Sequence, residues 1–226
     1  MEILRNFAVF EGPDGSGTTT QLNILDDFFH PKKGYSGHFM AAESGGSYMA
    51  LPPFYKTFEP TDGSIGKLIR SGLRKEVNLR PETVAMLFAA DRCEHLYGPG
   101  GGVKERCDRG ELVVSDRYVP SSLVYQGITC GDKLPEQLNR DFPGPELLIY
   151  FDIDSEIAEK RIAGREQREI YEYLDFQIQV RRRYQALLPR FAAQGVRVET
   201  IDASLPPEAV AAKIWILIRE MPIFKG

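Results

Sequence analysis

The stretch that decides the fold lies near the N-terminus and reads Phe7-Ala8-Val9-Phe10-Glu11-Gly12-Pro13-Asp14-Gly15-Ser16-Gly17-Thr18-Thr19-Thr20-Gln21. The apolar run from Phe7 to Phe10 predicts a buried parallel strand. The glycines that follow free the backbone to curl its N–H groups around an anion before a helix begins near Thr18. The spacing of Gly12 and Gly17 is that of a phosphate-binding P-loop, but Thr18 stands where that motif carries its lysine. The stretch therefore predicts a strand, a phosphate-binding loop without its usual cation, and a helix.

The rest of the chain alternates between strand and helix patterns. Apolar residues at helical spacing from Thr19 to Phe29 complete the strand-loop-helix order that a P-loop requires. Short apolar runs predict four more strands, at 54–58, 111–116, 147–152 and 196–202. Strands that are separated by helical crossovers predict an α/β fold, with a parallel five-stranded sheet and helices on both faces. Ligands of such folds bind where the carboxyl ends of the strands meet.

Length and composition exclude several classes of protein. The 226 residues predict one domain, 1–226, which buries its own core. A Gly- and Pro-rich segment at about 31–53 lacks periodicity and predicts a surface insertion, with a hairpin turning at Gly45-Gly46. The net charge of −4 argues against nucleic acid or anionic membrane as a partner. Three dispersed cysteines, with neither a signal peptide nor a membrane span, predict a soluble cytoplasmic protein with reduced thiols.

Three groups of residues suggest chemistry, and each also has a purely structural interpretation. Asp116-Arg117 follows a predicted strand and supplies the carboxylate and cation that phosphoryl transfer needs, although such pairs are also common on surfaces. Arginines recur in the segment 161–172 at helical spacing, either as a solvated helix face or as a lid over a phosphate donor. Phe88 and Arg92 share one helix face, either as core and surface residues or as a stack and a hydrogen-bond donor for a nucleobase.

In sequence order, these stretches resemble the thymidylate kinase family, whose fold is a P-loop kinase fold with a short lid. The resemblance runs from Phe7 to about Arg219 and is lost only in the insertion. It rests on four motifs: the P-loop stretch that ends at Gln21, Glu59-Pro60-Thr61 with Ile69-Arg70, Leu87-Phe88-Ala89-Ala90-Asp91-Arg92 with Glu94-His95, and Ser115-Asp116-Arg117-Tyr118 with Ser121-Ser122 and Tyr125-Gln126-Gly127.

The resemblance implies Mg²⁺-dependent transfer of the ATP γ-phosphate to dTMP, in a protein that is expected to form a homodimer. It implies an ATP site formed by Gly12, Gly15, Ser16, Gly17, Thr18, Thr19, Thr20 and Arg161. It implies a dTMP site formed by Asp14, Glu59, Arg70, Phe88, Arg92, Arg117, Ser121, Tyr125 and Gln126. The implied catalytic residues are Asp116, Arg117, Asp14, Arg165 and Arg168, the last two in a lid at about 161–172. Thr19 and Asp116 would hold the metal, directly or through water.

The roles implied for the dTMP site differ between its residues. Phe88 would stack on thymine, while Arg92 and Gln126 would contact its edge. Tyr125 would crowd the sugar 2′ position and so favour deoxyribose.

Two positions depart from the family pattern. Phe58 stands where many members carry an arginine, and Thr18 replaces the P-loop lysine. Two alternatives to a dTMP kinase therefore stay open, a catalytically weak nucleotide-binding protein and a kinase for another nucleoside monophosphate. If the protein is an active kinase, we expect Arg165 or Arg168 to supply the positive charge that is missing at Thr18.

Overall fold

The computed structural model describes residues 1–31, 51–163, 171 and 173–225. Five strands in these ranges form one parallel sheet in the order β2-β3-β1-β4-β5, which confirms the predicted sheet. The strands are β1 (Ile3–Glu11), β2 (Phe54–Phe58), β3 (Leu112–Asp116), β4 (Gly144–Asp152) and β5 (Arg197–Asp202).

Helices connect the strands and cover the sheet. The described residues form α1 (Thr18–Phe29), α2 (Ser64–Leu73), α3 (Pro81–Tyr97), α4 (Val103–Asp108), α5 (Val119–Cys130), α6 (Lys133–Asn139), α7 (Ser155–Ile162), α8 (Leu174–Ala193) and α9 (Pro207–Arg219), with a short 3₁₀ helix at Pro222–Phe224. The sequence patterns did not identify α4, α5 or α6. Eight of the twelve residues of α5 are buried, so this helix has no wide polar face to produce an amphipathic period.

The core lies in two layers because β1 is buried on both faces. Phe7, Ala8, Val9 and Phe10 are all fully buried, and successive side chains point to opposite faces of the sheet. Phe7 and Val9 belong to the cluster that includes residues of α2, α3, α5 and α8. Ala8 and Phe10 belong to the cluster that includes residues of α1 and α9. Helices on both faces are thus confirmed, and full burial of each large apolar side chain contributes roughly 1.5 to 3 kcal/mol.

The strand register brings the predicted motifs to one edge of the sheet. Asp116 at the end of β3 pairs with Phe10 in β1 and with Phe58 in β2. The backbone N–H of Glu59 donates to the Asp116 carbonyl at 3.0 Å, and that of Arg117 donates to the Phe10 carbonyl at 2.9 Å. The P-loop, Glu59 and the Asp116-Arg117 pair are therefore neighbours in space.

Parts of the predicted insertion and lid lie outside the described residues. These are residues 32–50, with the predicted Gly45-Gly46 hairpin, and residues 164–170 and 172, with Arg165 and Arg168. In the ranges that the structure does describe, we found no helix both long and apolar enough to cross a bilayer.

Candidate active site

The P-loop joins β1 to α1 and depends on two glycines with left-handed backbone. Gly15 has a φ of 84° and Gly17 a φ of 93°, a region that residues with a Cβ atom rarely adopt. A Cβ atom on Gly15 would also lie 2.5 Å from the Ala158 carbonyl oxygen. The loop ends at Thr18, the first residue of α1, so the positive end of the α1 dipole faces the loop. This geometry suits an anion, as the sequence predicts.

A cavity of about 480 Å³ opens beside the P-loop. All the residues predicted for the ATP site line this cavity except Gly12, whose carbonyl accepts a hydrogen bond from Arg117. Arg161 lies at its wall and donates to the carbonyls of Ala203 at 3.0 Å and Gly15 at 3.4 Å. The sequence motifs missed four mainly apolar residues on the wall, Ala203, Leu205, Pro207 and Val210. The cavity thus has a polar end at the P-loop and an apolar end, which suits a nucleotide.

Thr19 and Asp116, the two residues predicted to hold the metal, contact each other. The Thr19 hydroxyl donates to Oδ2 of Asp116, a carboxylate that is 7% exposed. The other carboxylate oxygen, Oδ1, is buried and has no hydrogen-bond partner among the described residues. Hydroxyl and carboxylate oxygens are the ligands that Mg²⁺ prefers, and Mg²⁺ usually keeps several waters beside one or two carboxylates. The two residues therefore fit a magnesium ion, which would neutralise charge on the phosphates of a bound nucleotide.

Arg117 lies between the P-loop and α5 in an unusual backbone conformation. Its φ of 71° is in the left-handed region, which costs a non-glycine residue free energy and is typical of functional sites. The guanidinium pairs with the Asp14 carboxylate and donates to Ser121 Oγ at 3.2 Å and to the Tyr125 hydroxyl at 3.3 Å. This conformation directs the arginine back toward the P-loop instead of along the chain.

A second, smaller cavity of about 100 Å³ lies on the other side of Asp14 and Arg117, which line both cavities. Eight of the nine residues predicted for the dTMP site line it: Asp14, Glu59, Phe88, Arg92, Arg117, Ser121, Tyr125 and Gln126. The sequence motifs assigned no binding role to the other four residues on its wall, Pro60, Leu73, Tyr118 and Tyr171. Gln126 is 1% exposed, and its Oε1 has no hydrogen-bond partner in the described ranges.

The ninth residue, Arg70, does not line either cavity. Its guanidinium donates to the carbonyls of Pro60 and Thr61, both at 2.5 Å, and pairs with Asp62 at 2.9 Å. Arg70 thus supports the turn after β2, whose Pro60 forms part of the cavity wall.

Arg92 is part of a buried polar cluster behind the smaller cavity. Its guanidinium donates twice to Oε2 of Glu59, at 2.6 and 2.9 Å, once to Ser122 Oγ at 3.0 Å, and once to Asn139 Oδ1. His95 contacts the other Glu59 oxygen at 2.9 Å. Burial alone raises the pKa of Glu59, but Arg92 and His95 together hold that pKa below its ordinary value. Glu59 is therefore ionised at neutral pH, and Arg92 is fixed in place.

Glu11, the last residue of β1, forms a second buried cluster that the sequence motifs did not assign. Its carboxylate accepts hydrogen bonds from the Tyr118 backbone at 2.8 Å, the Ser121 hydroxyl at 2.6 Å and the Tyr184 hydroxyl at 2.7 Å. Burial raises the pKa of Glu11 to about 7, against the lowering effect of Ser121 and the nearby Arg117. The cluster fixes the N-terminus of α5 against the start of the P-loop.

The fold, with two adjoining cavities beside the loop after β1, is that of a P-loop phosphotransferase. The family model described as Thymidylate kinase matches residues 48–214, which is most of the chain after the P-loop. The chain belongs to the thymidylate kinase family.

Individual relatives extend this similarity to the P-loop. A Treponema pallidum protein whose name assigns it to the thymidylate kinases is 40% identical over 97% of this chain and 98% of its own length. Thymidylate kinases of Thermomicrobium roseum and of a Geobacillus strain are 35% and 36% identical, over 95% and 91% of this chain and 95% and 92% of their own lengths.

Proposed function

We propose that this protein is a dTMP kinase that transfers the γ-phosphoryl group of ATP to dTMP. The bond between the γ-phosphorus and the β,γ-bridging oxygen breaks, and a phosphate oxygen of dTMP forms the new bond to phosphorus, which gives ADP and dTDP. The observation that carries the proposal is the position of Asp14 and Arg117, which line both cavities. A donor in the larger cavity and an acceptor in the smaller one would both direct their phosphates toward this pair, so that the attacking and leaving oxygens could approach in line.

The larger cavity would hold ATP, with its phosphates against the P-loop and Thr19 and Asp116 holding Mg²⁺ in part through water. The missing lysine removes one cation, but Arg117 and Arg161 both line this cavity. The backbone N–H groups of the loop and the N-terminus of α1 remain as anion donors. Arg165 and Arg168, as lid residues, stay a prediction from the sequence.

Gln126 favours a thymine or uracil base in the smaller cavity. Its unpartnered buried Oε1 is an acceptor, and it lies in one cavity wall with the Phe88 ring and the Arg92 guanidinium. Thymine and uracil offer an N–H donor at N3, where cytosine has an acceptor. A guanidinium has five N–H donors, and Arg92 uses four of them within the part of the chain that the structure describes. The fifth is available to a base oxygen.

Calorimetric titration with nucleotides tests the acceptor. We expect dTMP to bind more tightly than UMP, because Tyr125 lines the cavity and, in the role that the family resemblance implies, would crowd a 2′-hydroxyl. We expect dCMP to bind worst. Gln126→Leu should weaken dTMP binding about 10-fold to 100-fold, because the N–H group of the buried base would lose its hydrogen-bond acceptor. The matched control is Gln137→Leu, at an exposed position of α6, which should change nothing. Equal affinity for UMP and dTMP would contradict the proposed specificity.

We further propose that the protein forms a homodimer through α3. Met86, Ala90, Cys93 and Tyr97 form an exposed stripe along this helix, and Met86 and Tyr97 are 51% and 49% exposed. An apolar stripe on a surface helix is typical of an interface. Light scattering should show that Met86→Glu converts the dimer into monomer, while Gln179→Glu, which places the same residue at an exposed position of α8, leaves the mass unchanged. A monomeric wild-type protein would contradict this proposal.

A further inference from the structure

Gln177 is a fully buried polar residue that no part of the proposed reaction yet uses. It is the fourth residue of α8 and is 0% exposed. Its Oε1 accepts from the backbone N–H of Asp14 at 3.0 Å. Its Nε2 donates to Oδ2 of Asp14 at 2.8 Å and to the Tyr171 carbonyl at 2.6 Å. One side chain therefore holds two residues that both line the smaller cavity, and it lies 163 positions from Asp14 along the chain.

The polarity of these three contacts is fixed by the partners. A backbone N–H can only donate, while a carboxylate oxygen and a backbone carbonyl can only accept. An amide satisfies all three at once in a single orientation, since it has one acceptor oxygen and two N–H donors on one nitrogen. A carboxylate of the same shape would keep the first contact and turn the other two into repulsions between oxygens. The site thus selects glutamine over its isosteres.

We propose that Gln177 is a positioning residue for the acceptor nucleotide, which orients the Asp14 carboxylate toward Arg117 and holds the Tyr171 backbone at the cavity wall. This inference rests on the proposed function, because it assigns the acceptor to the smaller cavity. Asp14 uses its two oxygens separately, Oδ1 toward Arg117 and Oδ2 toward Gln177. Without Gln177, the Asp14 carboxylate can rotate about its Cβ–Cγ bond. Arg117 then loses the fixed partner that directs its guanidinium.

The position of Gln177 predicts a selective effect on the acceptor. Its hydrogen bonds reach Tyr171, which lines only the smaller cavity, and Asp14, which lines both cavities. Gly15, Gly17, Thr18 and Thr19 line only the larger cavity, and the hydrogen bonds of the Gln177 side chain given above do not reach them. We therefore expect loss of Gln177 to raise the KM for dTMP while the KM for ATP stays within about twofold of wild type. A role in general folding would instead change both constants and the thermal stability together.

Steady-state kinetics of Gln177→Met and Gln177→Glu provide the test. Methionine keeps the buried volume and removes every polar contact, and we expect a KM for dTMP that is about 10-fold to 100-fold higher, the range for losing hydrogen bonds to a charged group. The matched control is Gln179→Glu, two positions away on α8, where the side chain is exposed and its amide donates to the Asp175 carbonyl at 3.3 Å. This control should behave as wild type.

The pH dependence of Gln177→Glu separates positioning from packing. Burial and the neighbouring Asp14 carboxylate both raise the pKa of an introduced glutamate. When it is protonated, its O–H can donate to Asp14 and restore one of the lost contacts. The ratio of the variant's KM for dTMP to that of wild type should therefore fall as the pH is lowered from 8.5 to 6, and taking the ratio at each pH removes the titration of dTMP itself. The same ratio for Gln177→Met should stay constant.

Each result has one interpretation. A KM for dTMP within twofold of wild type in both variants, or an equal rise in the two KM values, would overturn the inference. A pH-independent ratio for Gln177→Glu would overturn it as well. If one of the two variants is too unstable to assay, the dTMP affinity of the other variant is compared with wild type by the same criteria. A wild-type protein that neither binds nor phosphorylates dTMP would instead refute the proposed function, and would do so before any variant is compared.

Discussion

Replacing Arg92 by alanine should destabilise the fold more than it weakens dTMP binding. Arg92 and Glu59 are 1% and 2% exposed and are joined by two hydrogen bonds, so alanine leaves a buried carboxylate without its main partner. Removing one member of a buried ion pair typically costs about 3 to 5 kcal/mol. The free energy of unfolding of a typical domain is about 5 to 15 kcal/mol, so the variant would lose a large share of its stability.

The pKa of Glu59 determines how the stability of the Arg92→Ala variant should change with pH. In the wild-type protein the pKa of Glu59 is lowered from 4.5, so its contribution to stability is present above that pH and is lost as the pH falls through the lower folded-state value. Without Arg92, burial becomes the dominant effect and raises the pKa of Glu59 above its unfolded value. The Arg92→Ala variant should therefore gain stability, relative to wild type, when the pH is lowered from 8 to 6.

Urea unfolding at pH 8 and pH 6 measures both effects. Adding Glu59→Gln to Arg92→Ala removes the unpaired charge, so the double variant should be less destabilised than the sum of the single variants. The control is Arg80→Ala, whose partner Glu82 lies in an exposed pair, and it should leave the free energy of unfolding unchanged. A free energy of unfolding for Arg92→Ala within about 1 kcal/mol of wild type, or the same loss of stability at both pH values, would contradict this prediction.

The remaining predictions concern the reaction centre and its buried acid. Asp116→Asn keeps an acceptor for Thr19 but loses the charge that would hold Mg²⁺, so kcat should fall about 100-fold to 1000-fold with the fold intact, and a change below threefold would contradict the assigned role. If Arg165 supplies the charge that Thr18 lacks, Thr18→Lys should reduce the effect of Arg165→Ala on kcat, and effects that simply add within about 0.5 kcal/mol would refute this compensation. Because the pKa of Glu11 is raised to about 7, its contribution favours the folded state at low pH and is lost as the pH rises through 7, so Glu11→Gln should flatten the dependence of unfolding free energy on pH between about 5 and 8. If the unfolding free energy of Glu11→Gln depended on pH as steeply as that of wild type, Glu11 would not be the source of this dependence.

The strands could be predicted because full burial leaves a simple signal in the sequence. β1 and β4 are almost wholly apolar where they cross the core, and each predicted strand is present within a few residues of its expected bounds. Helix α5 could not be predicted, because it is buried on most sides and its polar residues Ser121, Ser122 and Gln126 face the interior. Helical periodicity in a sequence depends on the contrast between an apolar and a polar face, and α5 has little such contrast.

The candidate site was predictable to the extent that its residues follow strands. Asp116 and the P-loop come to one edge because parallel strands share a direction, and their meeting with Glu59 follows from the sheet order. Gln177 gave no such signal, because its role depends on the packing of α8 against a loop 163 residues earlier. Arg70 belongs to a recognisable motif, yet its side chain supports the turn behind the cavity and does not reach the cavity itself.

We expect the P-loop to support phosphoryl transfer to dTMP although it lacks its lysine. The most direct test is to incubate the protein with ATP, Mg²⁺ and dTMP and to separate the nucleotides by chromatography over time. We expect dTDP and ADP to form in equal amounts, with much slower formation of the corresponding products from UMP, CMP and AMP. A protein that binds dTMP and ATP but forms no dTDP would contradict it and would identify a nucleotide-binding protein that has kept the fold without the reaction.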